Sequence, residues 1–461
     1  MNIPIIVVCY NNYKYVQNTL AQIKRINLAY YANIQILDNC STCLETIQFL
    51  NNVDVHVLRN LHNNGPWIYP YVNSHIYDRL PDKYIVTDPD LQFHEQIPSN
   101  CIEILSGLSD KYATSKIGVA LDISDFEKMY PNQYHIGTTI HEWETQFWEK
   151  RLDDPDYILY EATIDTTFCL VNKLHFAKNY SLRIAGTFLS KHLPWYIENP
   201  IYNVYENYIN NLHSTKISTI SKTIVPYIER KYLQIYKQNE MFLIENDSTN
   251  PNLSFWKDIY GGWEKETFEI MDRYLSNEKI FLDIGGWIGT TSMYGSRKSK
   301  HVFTVEADPQ SNRDLMANMR TNCRNYTCVP KVFYNVANTF VPFGKNKFLG
   351  GSKLNDSTSQ IYFEGEPSDD CILVETITLD QILQQYSIAF ADIGLIKVDI
   401  EGGEEHILND VIAFRDTHSI PIYVSFHYSW WKDTNLDRFA CLTPAQKNTI
   451  RAEPFVSILF T

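Results

Sequence analysis

Short apolar runs that end in polar or glycine-rich turns recur along the second half of this chain. They begin at Phe281, Thr304, Leu395 and Pro421. A strand buried on both faces of a parallel sheet reads as a continuous apolar run, and its carboxyl end delivers polar residues to a ligand crevice. The pattern therefore predicts an α/β fold with a buried parallel sheet.

The first half of the chain shows the same alternation. Apolar runs that begin at Ile3, Ile34, Val53 and Tyr84 end in polar loops, and apolar residues at helical spacing follow from Tyr15. Strands that alternate with helices predict a second α/β sheet, with its ligand at the carboxyl ends of the strands.

A cofactor site is predicted at the first two strands of the second half. Asp283 ends the first of them, and Gly285 and Gly289 allow the following backbone to approach a ligand closely. Glu306 ends the next strand about 20 residues later, where an acid can accept both hydroxyls of a ribose. These four residues predict an adenosine-type cofactor, and the glycine turn by itself leaves a nicotinamide and S-adenosylmethionine equally open.

The later segments favour S-adenosylmethionine. The set resembles the FkbM family of S-adenosylmethionine-dependent methyltransferases, which act mostly on sugar hydroxyls. The matching segments are Asp283–Gly289, Val305–Pro309, Thr378–Asp380 and Ile396–Glu404. The resemblance implies a Rossmann-like class I methyltransferase domain over residues 251–461. Trp287 departs from the family, which commonly has a small residue or Asn there, and its ring could pack on the cofactor or narrow its site.

Three residues near the later strand ends are the predicted catalytic group of this domain. Asp399 ends one strand, Glu401 follows it, and His427 ends the next apolar run. Methyl transfer to a hydroxyl needs positioning and a base. His427 is a candidate base, because the pKa of imidazole lies near working pH, or else a structural histidine. Asp399 and Glu401 could instead bind a divalent cation that polarises the hydroxyl, or cap the following helix.

The chemical centre of the first half is Asp88-Pro89-Asp90, directly after an apolar strand. Two carboxylates at this spacing can share one hard cation, which in turn binds a diphosphate. This half resembles the GT-A fold of nucleotide-sugar glycosyltransferases, most nearly glycosyltransferase family 2. The matching residues are Cys9–Asn12, Asp38–Thr42 and Asp88–Asp90. The resemblance implies that Tyr10 and Asp38 contact the nucleotide and that Asp88 and Asp90 bind Mn²⁺ or Mg²⁺.

Two later stretches complete the predicted transferase site. Asp165 precedes an apolar run and is the predicted base of an inverting transfer, with Glu144 as the second choice. His192 matches, by its order along the chain, the late metal or phosphate ligand of many GT-A enzymes. Trp67 and Trp195 either stack on a sugar ring or pack in the core.

Composition limits the class of protein. The 461 residues suffice for two domains, and the net charge of −14 disfavours nucleic acid or an anionic membrane as partner. We find no apolar run of membrane-spanning length and no signal peptide, which predicts a cytoplasmic protein. Nine cysteines without a disulfide framework suit a reducing compartment. The richness in Asn, Ile and Tyr is typical of an AT-rich bacterial genome or a large virus, and in the viral case the cytoplasm is the host's.

Turn-forming residues cluster at Asn246–Asn252 and predict domains at residues 1–245 and 251–461. We interpret the chain as a bifunctional enzyme that transfers a sugar from a nucleotide-sugar donor to a glycan acceptor and then methylates a sugar hydroxyl. Two alternatives remain. One domain could be an inactive glycan-binding or docking module, or the first half could be a nucleotidyltransferase.

Overall fold

The computed structural model describes residues 3–178, 180–212, 218–344, 358–361 and 371–461. Its contacts divide the chain into two compact units. The first comprises the residues up to Tyr202 with Asn207–Tyr227, and the second comprises Asn203–Glu206 with Ile228–Thr461. Both units are α/β folds, as the sequence predicts. Within the described ranges, no helix combines the length and the apolar character that crossing a membrane requires.

A nine-stranded sheet organises the first unit. The strands of this unit are β1 (Ile5–Cys9), β2 (Ile34–Asp38), β3 (His56–Arg59), β4 (Lys83–Thr87), β5 (Leu91–Phe93), β6 (Lys116–Val119), β7 (Arg151–Leu152), β8 (Leu159–Glu161), β9 (Cys169–Asn172), β10 (Ser181–Ile184) and β11 (Ser190–His192). The helices up to the junction are α1 (Tyr13–Ile26), α2 (Leu28–Tyr31), α3 (Leu44–Asn52), α4 (Ser74–Tyr77), α5 (Cys101–Tyr112), α6 (Ile140–Thr145), α7 (Val204–Leu212) and α8 (Thr219–Lys231). The sheet order is β3-β2-β1-β4-β9-β6-β10-β8-β7.

Three adjacent parallel strands in one half of this sheet position the predicted site. β1 lies between β2 and β4 and is buried along its whole length. Cys9 lies opposite Asp38 in the parallel register. Because the carboxyl ends of parallel strands meet at the same edge, the loops that follow Cys9, Asp38 and Thr87 come together there.

A six-stranded sheet organises the second unit. The strands are β12 (Tyr232–Lys237), β13 (Glu240–Glu245), β14 (Ile280–Ile284), β15 (His301–Val305), β16 (Tyr326–Val329), β17 (Val332–Phe333), β18 (Phe340–Gly344), β19 (Gln360–Ile361), β20 (Ile372–Ile377), β21 (Ile393–Val398), β22 (Ile422–His427) and β23 (Phe455–Phe460). The helices are α9 (Lys265–Tyr274), α10 (Thr290–Lys298), α11 (Pro309–Asn322), α12 (Leu379–Gln385), α13 (Glu404–His418) and α14 (Pro444–Ala452). The sheet order is β16-β15-β14-β21-β22-β23, with β23 alone antiparallel to its neighbour among these six strands.

Alternate side chains of the central strand β14 point into two different cores, as a pleated strand requires. Leu282 packs in a core that includes Ile407 of α13. Phe281 packs in another core, with Phe268 of α9 and Met293 of α10. Helices therefore cover both faces of the sheet, which is the doubly wound, Rossmann-like arrangement.

The hairpin of β12 and β13 corrects the predicted domain boundary at residue 245. Phe242 and Ile244 are buried in the same core as Phe268. The amide of Leu243 donates a hydrogen bond to Asn322 Oδ1 at 2.8 Å. These contacts place the division between Tyr227 and Ile228. The turn-forming cluster at 246–252 is instead a loop inside the second unit.

Candidate functional site

The carboxyl ends of β14, β15, β21 and β22 open into one cavity of about 770 Å³ within the second unit. The register places Ile284 opposite both Val305 and Val398, so that these strand ends are aligned. The predicted residues that line the cavity are Gly285, Glu306, Asp399, Glu401 and His427. The lining does not include Asp283 or Gly289.

The glycine turn after β14 and the end of β15 form one wall of the cavity. Gly285 and Trp287 have φ values of +85° and +46°, in the left-handed region. The amide of Trp287 donates to Glu306 Oε2 at 2.7 Å, and that of Asp308 donates to Oε1 at 2.8 Å. Burial raises the pKa of Glu306 to about 8. Glu306 is thus fixed by two amides where the sequence predicts the ribose contact.

A fully buried lysine connects the ends of β14 and β21. Lys397 Nζ lies 3.2 Å from Asp399 Oδ2 and 3.6 Å from Asp283 Oδ1. Burial opposes the charge, but the two carboxylates outweigh it and raise the pKa of Lys397. Burial likewise opposes ionisation of Asp399, and the Lys397 ammonium holds the pKa of that carboxyl below its ordinary value. Asp283 therefore fixes Lys397, and Lys397 keeps Asp399 ionised at the cavity.

The three predicted catalytic residues meet at the cavity. His427 Nε2 lies 3.1 Å from Glu401 Oε2 and 3.7 Å from Asp399 Oδ1. The other ring nitrogen, Nδ1, lies 3.2 Å from Glu404 Oε1. Burial would lower the pKa of His427, but the surrounding carboxylates, Glu404 first, raise it to about 10. Burial raises the pKa of Glu401 to about 9.

Sequence reasoning does not single out three charged residues of this site. Lys397 interrupts an otherwise apolar strand. Because a buried charge needs partners, this position could have been recognised from the sequence as part of a charged site. Glu404 begins α13 and is fully buried, and no sequence pattern links it to His427. Glu264 lines the cavity from the segment before α9, and burial raises its pKa to about 7.

Trp287 belongs to an aromatic wall of the cavity. Its ring centroid lies 4.9 Å from that of Phe255 and 6.4 Å from that of Trp263, and all three line the cavity. Cavities of about 300–1,000 Å³ hold small-molecule ligands. The cavity falls in this range with the Trp287 ring in place, so the ring does not fill it.

In the first unit, the pairing of β11 with β5 brings His192 beside the Asp88-Pro89-Asp90 turn. His192 Nε2 lies 3.5 Å from Asp90 Oδ1. That Oδ1 and His192 Nδ1 are buried, and neither has a hydrogen-bond partner among the described residues. The Thr166 hydroxyl donates to Asp88, whose pKa is raised by burial and by the charge of Asp90. In the second unit, one ligand atom from each of Asp399, Glu401 and His427 lies within 4.8 Å of the other two. The ligand atoms of Asp88, Asp90 and His192 do not meet this distance criterion.

The predicted nucleotide contacts lie at the ends of β1 and β2. Asp38 is buried, its Oδ1 accepts from the amide of Ser41 at 3.0 Å, and its Oδ2 lies 3.2 Å from Arg59 Nη1. Tyr10 is exposed in the loop after β1. An ion pair therefore already engages Asp38, while Tyr10 is open to a ligand.

The two candidate bases of the first unit lie in different environments. Asp165 is exposed and accepts from Trp67 Nε1 at 2.5 Å. Glu144 is buried in an ion pair with Arg183. A buried ion pair is a structural element that is costly to break, so the environment of Glu144 is that of a structural carboxylate, and its role as the second-choice base stays a prediction. Trp195 is buried, with its ring centroid 4.8 Å from that of His192, so it packs in the core.

Residues 283–442 match the family described as "Methyltransferase FkbM domain". The predicted resemblance to the FkbM family is thereby confirmed for these residues, which are about a third of the chain. No curated protein matches the chain.

Three solved structures illustrate the remaining likenesses. The FkbM methyltransferase from Methylobacillus flagellatus KT is 16% identical, with 32% of this chain and 33% of that chain covered, at a TM-score of 0.20. Staphylococcus aureus TarS 1–349 is 15% identical, with 39% and 49% covered, at 0.23. The mannosyltransferase from Pyrobaculum calidifontis, in complex with GDP-Man and Mn²⁺, is 13% identical, with 27% and 37% covered, at 0.21. Each alignment thus spans half or less of the solved chain, and TM-scores this low carry no argument about activity.

Proposed function

We propose that the second unit binds S-adenosylmethionine in its cavity and transfers the methyl group to a sugar hydroxyl. The observation that carries this proposal is the position of Glu306, buried at the end of β15 and fixed by two amides beside the glycine turn. A carboxylate at this place is suited to accept the two ribose hydroxyls. The match of residues 283–442 to the FkbM methyltransferase domain supports it.

The cluster of Asp399, Glu401 and His427 supports a hydroxyl as the acceptor, because a hydroxyl must lose its proton during transfer. The methyl carbon leaves the sulfonium sulfur, and the pair of the C–S bond stays on sulfur, which yields S-adenosylhomocysteine. An oxygen lone pair of the acceptor forms the new C–O bond, and the hydroxyl proton leaves through the cluster. The protein's part is to hold the sulfur, the methyl carbon and the oxygen in line.

Calorimetric titration with S-adenosylhomocysteine tests the cofactor assignment. The native chain is expected to bind it at pH 9, where the Glu306 carboxylate is charged, and Glu306→Gln is expected to bind it about 10- to 100-fold more weakly there, because hydrogen bonds to a charged group contribute about 1.5–3 kcal/mol. Glu269→Gln is the matched control, since Glu269 is an exposed carboxylate on α9. Equal affinity of Glu306→Gln and the native chain would contradict the assignment.

We further propose that the first unit transfers a sugar from a nucleotide-sugar to a glycan acceptor. The observation that favours this second activity is the pair of buried, unpartnered atoms Asp90 Oδ1 and His192 Nδ1 beside Asp88. Carboxylate and imidazole groups are ligands of Mn²⁺, so the residues fit such a cation. Asp88, Asp90 and His192 would hold the cation, which would neutralise the diphosphate of the donor. Asp165 would deprotonate the acceptor hydroxyl.

Titration with nucleoside diphosphates, with and without Mn²⁺, tests this second activity. Binding that requires Mn²⁺ and is lost in Asp90→Asn is expected. Full activity of the fused protein after Asp88→Ala with Asp90→Ala would instead favour a binding module. Release of pyrophosphate rather than nucleoside diphosphate would favour a nucleotidyltransferase. If both activities hold, the co-occurrence of the units suggests that a sugar is added and then O-methylated.

A further inference from the structure

The ligand atoms at the end of β21 and β22 have the spacing of a cation's coordination shell. Oxygen and nitrogen ligands bound to Mg²⁺ at about 2.1 Å in an octahedron stand about 3 Å apart at neighbouring positions. His427 Nε2 lies 3.1 Å from Glu401 Oε2 and 3.7 Å from Asp399 Oδ1. The three residues thus present one atom each toward a common point.

The orientation of the imidazole is that of a metal ligand. Ligating histidines generally place the second ring nitrogen against a carboxylate, which fixes the ring and its tautomer. His427 Nδ1 lies 3.2 Å from the fully buried Glu404 carboxylate. Trp431 Nε1 donates to that carboxylate at 3.2 Å, and the amide of Gly402 donates at 3.0 Å. Glu404 is therefore held in place, and His427 Nε2 is left to face the cavity.

The two carboxylates also have oxygens available on the side of His427. Lys397 lies at Asp399 Oδ2, which leaves Oδ1 on the His427 side. Glu401 Oε2 is buried and accepts no well-aligned hydrogen bond among the described residues, and its near neighbour is His427 Nε2 at 3.1 Å. Glu401 also has φ +54°, a left-handed conformation that is unfavourable for a residue with a side chain and is found at functional sites.

The charges of the residues that line the cavity also favour a bound cation. Seven carboxylate residues line the cavity, against three lysines and one histidine. Buried like charges repel each other strongly, and a bound divalent cation relieves that repulsion. An acidic cluster without such a structure around it would carry no site. Here the imidazole that Glu404 holds in place and the buried Glu401 oxygen that faces its Nε2 supply the additional evidence.

We propose that Asp399, Glu401 and His427 bind a divalent cation of the Mn²⁺ or Mg²⁺ class, and that this cation binds the acceptor hydroxyl during methyl transfer. The proposal rests on the methyl-transfer function proposed above. Three protein ligands leave coordination positions for the acceptor oxygen and for water. A bound cation lowers the pKa of a coordinated hydroxyl, whose proton then passes to water, while the C–S and C–O changes remain as described.

Mn²⁺ binding, followed by the loss of the free-ion EPR signal, tests the site. The full chain with Asp88→Asn and Asp90→Asn removes the contribution of the first unit. This background is expected to bind one Mn²⁺ per chain. Glu401→Gln is expected to weaken binding by about 100-fold or more. Glu404→Gln, which alters the carboxylate that holds both the imidazole and the Gly402 turn, is expected to weaken it by about 10- to 100-fold.

Glu269→Gln in the same background is the control and is expected to bind Mn²⁺ unchanged. Binding of S-adenosylhomocysteine by every variant verifies that the second unit is folded. A folded background that binds no Mn²⁺, or Mn²⁺ affinity that Glu401→Gln leaves unchanged, would overturn the site.

A second measurement separates failure of this inference from failure of the proposed function. If the chain binds S-adenosylhomocysteine and methylates an acceptor as fast with EDTA as without it, the inferred role of the cation is wrong and the proposed methyl-transfer function is retained. If Mn²⁺ binds at the cluster but S-adenosylhomocysteine does not bind, the proposed function fails while the cation site stands. Loss of methylation in EDTA, restored by Mn²⁺, is the expected result.

Discussion

Gly285→Ala should damage both the stability and the activity of the second unit. A Cβ placed on Gly285 would overlap the carbonyl oxygen of Asp399 and would lie 2.7 Å from its carbonyl carbon. Ordinary contacts between carbons lie at about 3.5–4.0 Å, so the ends of β14 and β21 have to separate by roughly 1 Å. Gly285 also has φ +85°, which L-residues adopt only with strain.

The expected loss of stability follows from these two effects. A left-handed backbone costs about 1–2 kcal/mol in a residue with a side chain. Forced overpacking adds about 1–3 kcal/mol. We expect Gly285→Ala to lower the free energy of unfolding of the second unit by about 2–5 kcal/mol. Because Asp399 moves with the strand end, methyl transfer should slow by about 100-fold.

Denaturant unfolding followed by tryptophan fluorescence measures the stability. With two units, more than one transition is expected, and the one that S-adenosylhomocysteine shifts belongs to the unit that binds it. Gly262→Ala is the matched control, because a Cβ there meets nothing within 4 Å and the backbone is not left-handed. A ligand-sensitive transition that moves no further in Gly285→Ala than in Gly262→Ala would refute the reasoning.

Four further substitutions change charged groups, three of them buried (Lys397, Glu306 and Glu144) and one exposed (Asp165). Lys397→Met leaves two buried carboxylates without their cation and should cost about 3–5 kcal/mol in urea unfolding, whereas the exposed Lys265→Met should change little. The folded-state pKa of Glu306 is raised to about 8 from an ordinary value of 4.5, so its contribution to stability is full below pH 4.5 and is lost as pH rises through 8. The melting temperature should therefore fall less between pH 6 and 9 in Glu306→Gln than in the native chain. Glu144→Gln should lower the stability of the first unit by about 3–5 kcal/mol. Asp165→Asn should abolish glycosyl transfer and leave the stability unchanged. If instead Asp165→Asn lowered the stability and kept glycosyl transfer, while Glu144→Gln abolished transfer and kept the stability, both assignments would be wrong.

The strand ends could be predicted from the sequence because each apolar run is followed at once by its polar residue. In a parallel sheet such ends lie at one edge whatever the loops do. Glu306, Asp399 and His427 thus line a common cavity although 121 residues separate the first from the last. The periodicity of apolar residues carries this information without any knowledge of packing.

What the sequence does not reveal depends on local geometry and on tertiary packing. The contact of Glu404 with His427 requires the left-handed turn at Glu401 and Gly402 before α13, which no periodic pattern encodes. The error at residue 245 has a tertiary cause. The turn formers at 246–252 do mark a loop, but the hairpin before it buries Phe242 and Ile244 in the core of the second unit.

The excess of carboxylates at the cavity should make it bind the cofactor more tightly than the product of the proposed reaction. Lys397 lies closest to Asp283 and Asp399, so its single charge is shared and leaves the cavity with an excess of carboxylates. S-Adenosylmethionine carries a sulfonium charge, and S-adenosylhomocysteine does not. Attraction between unlike charges is strengthened where water is excluded. The cavity should therefore hold the charged cofactor more tightly than its neutral-sulfur product, and methyl transfer itself removes the charge that holds the product.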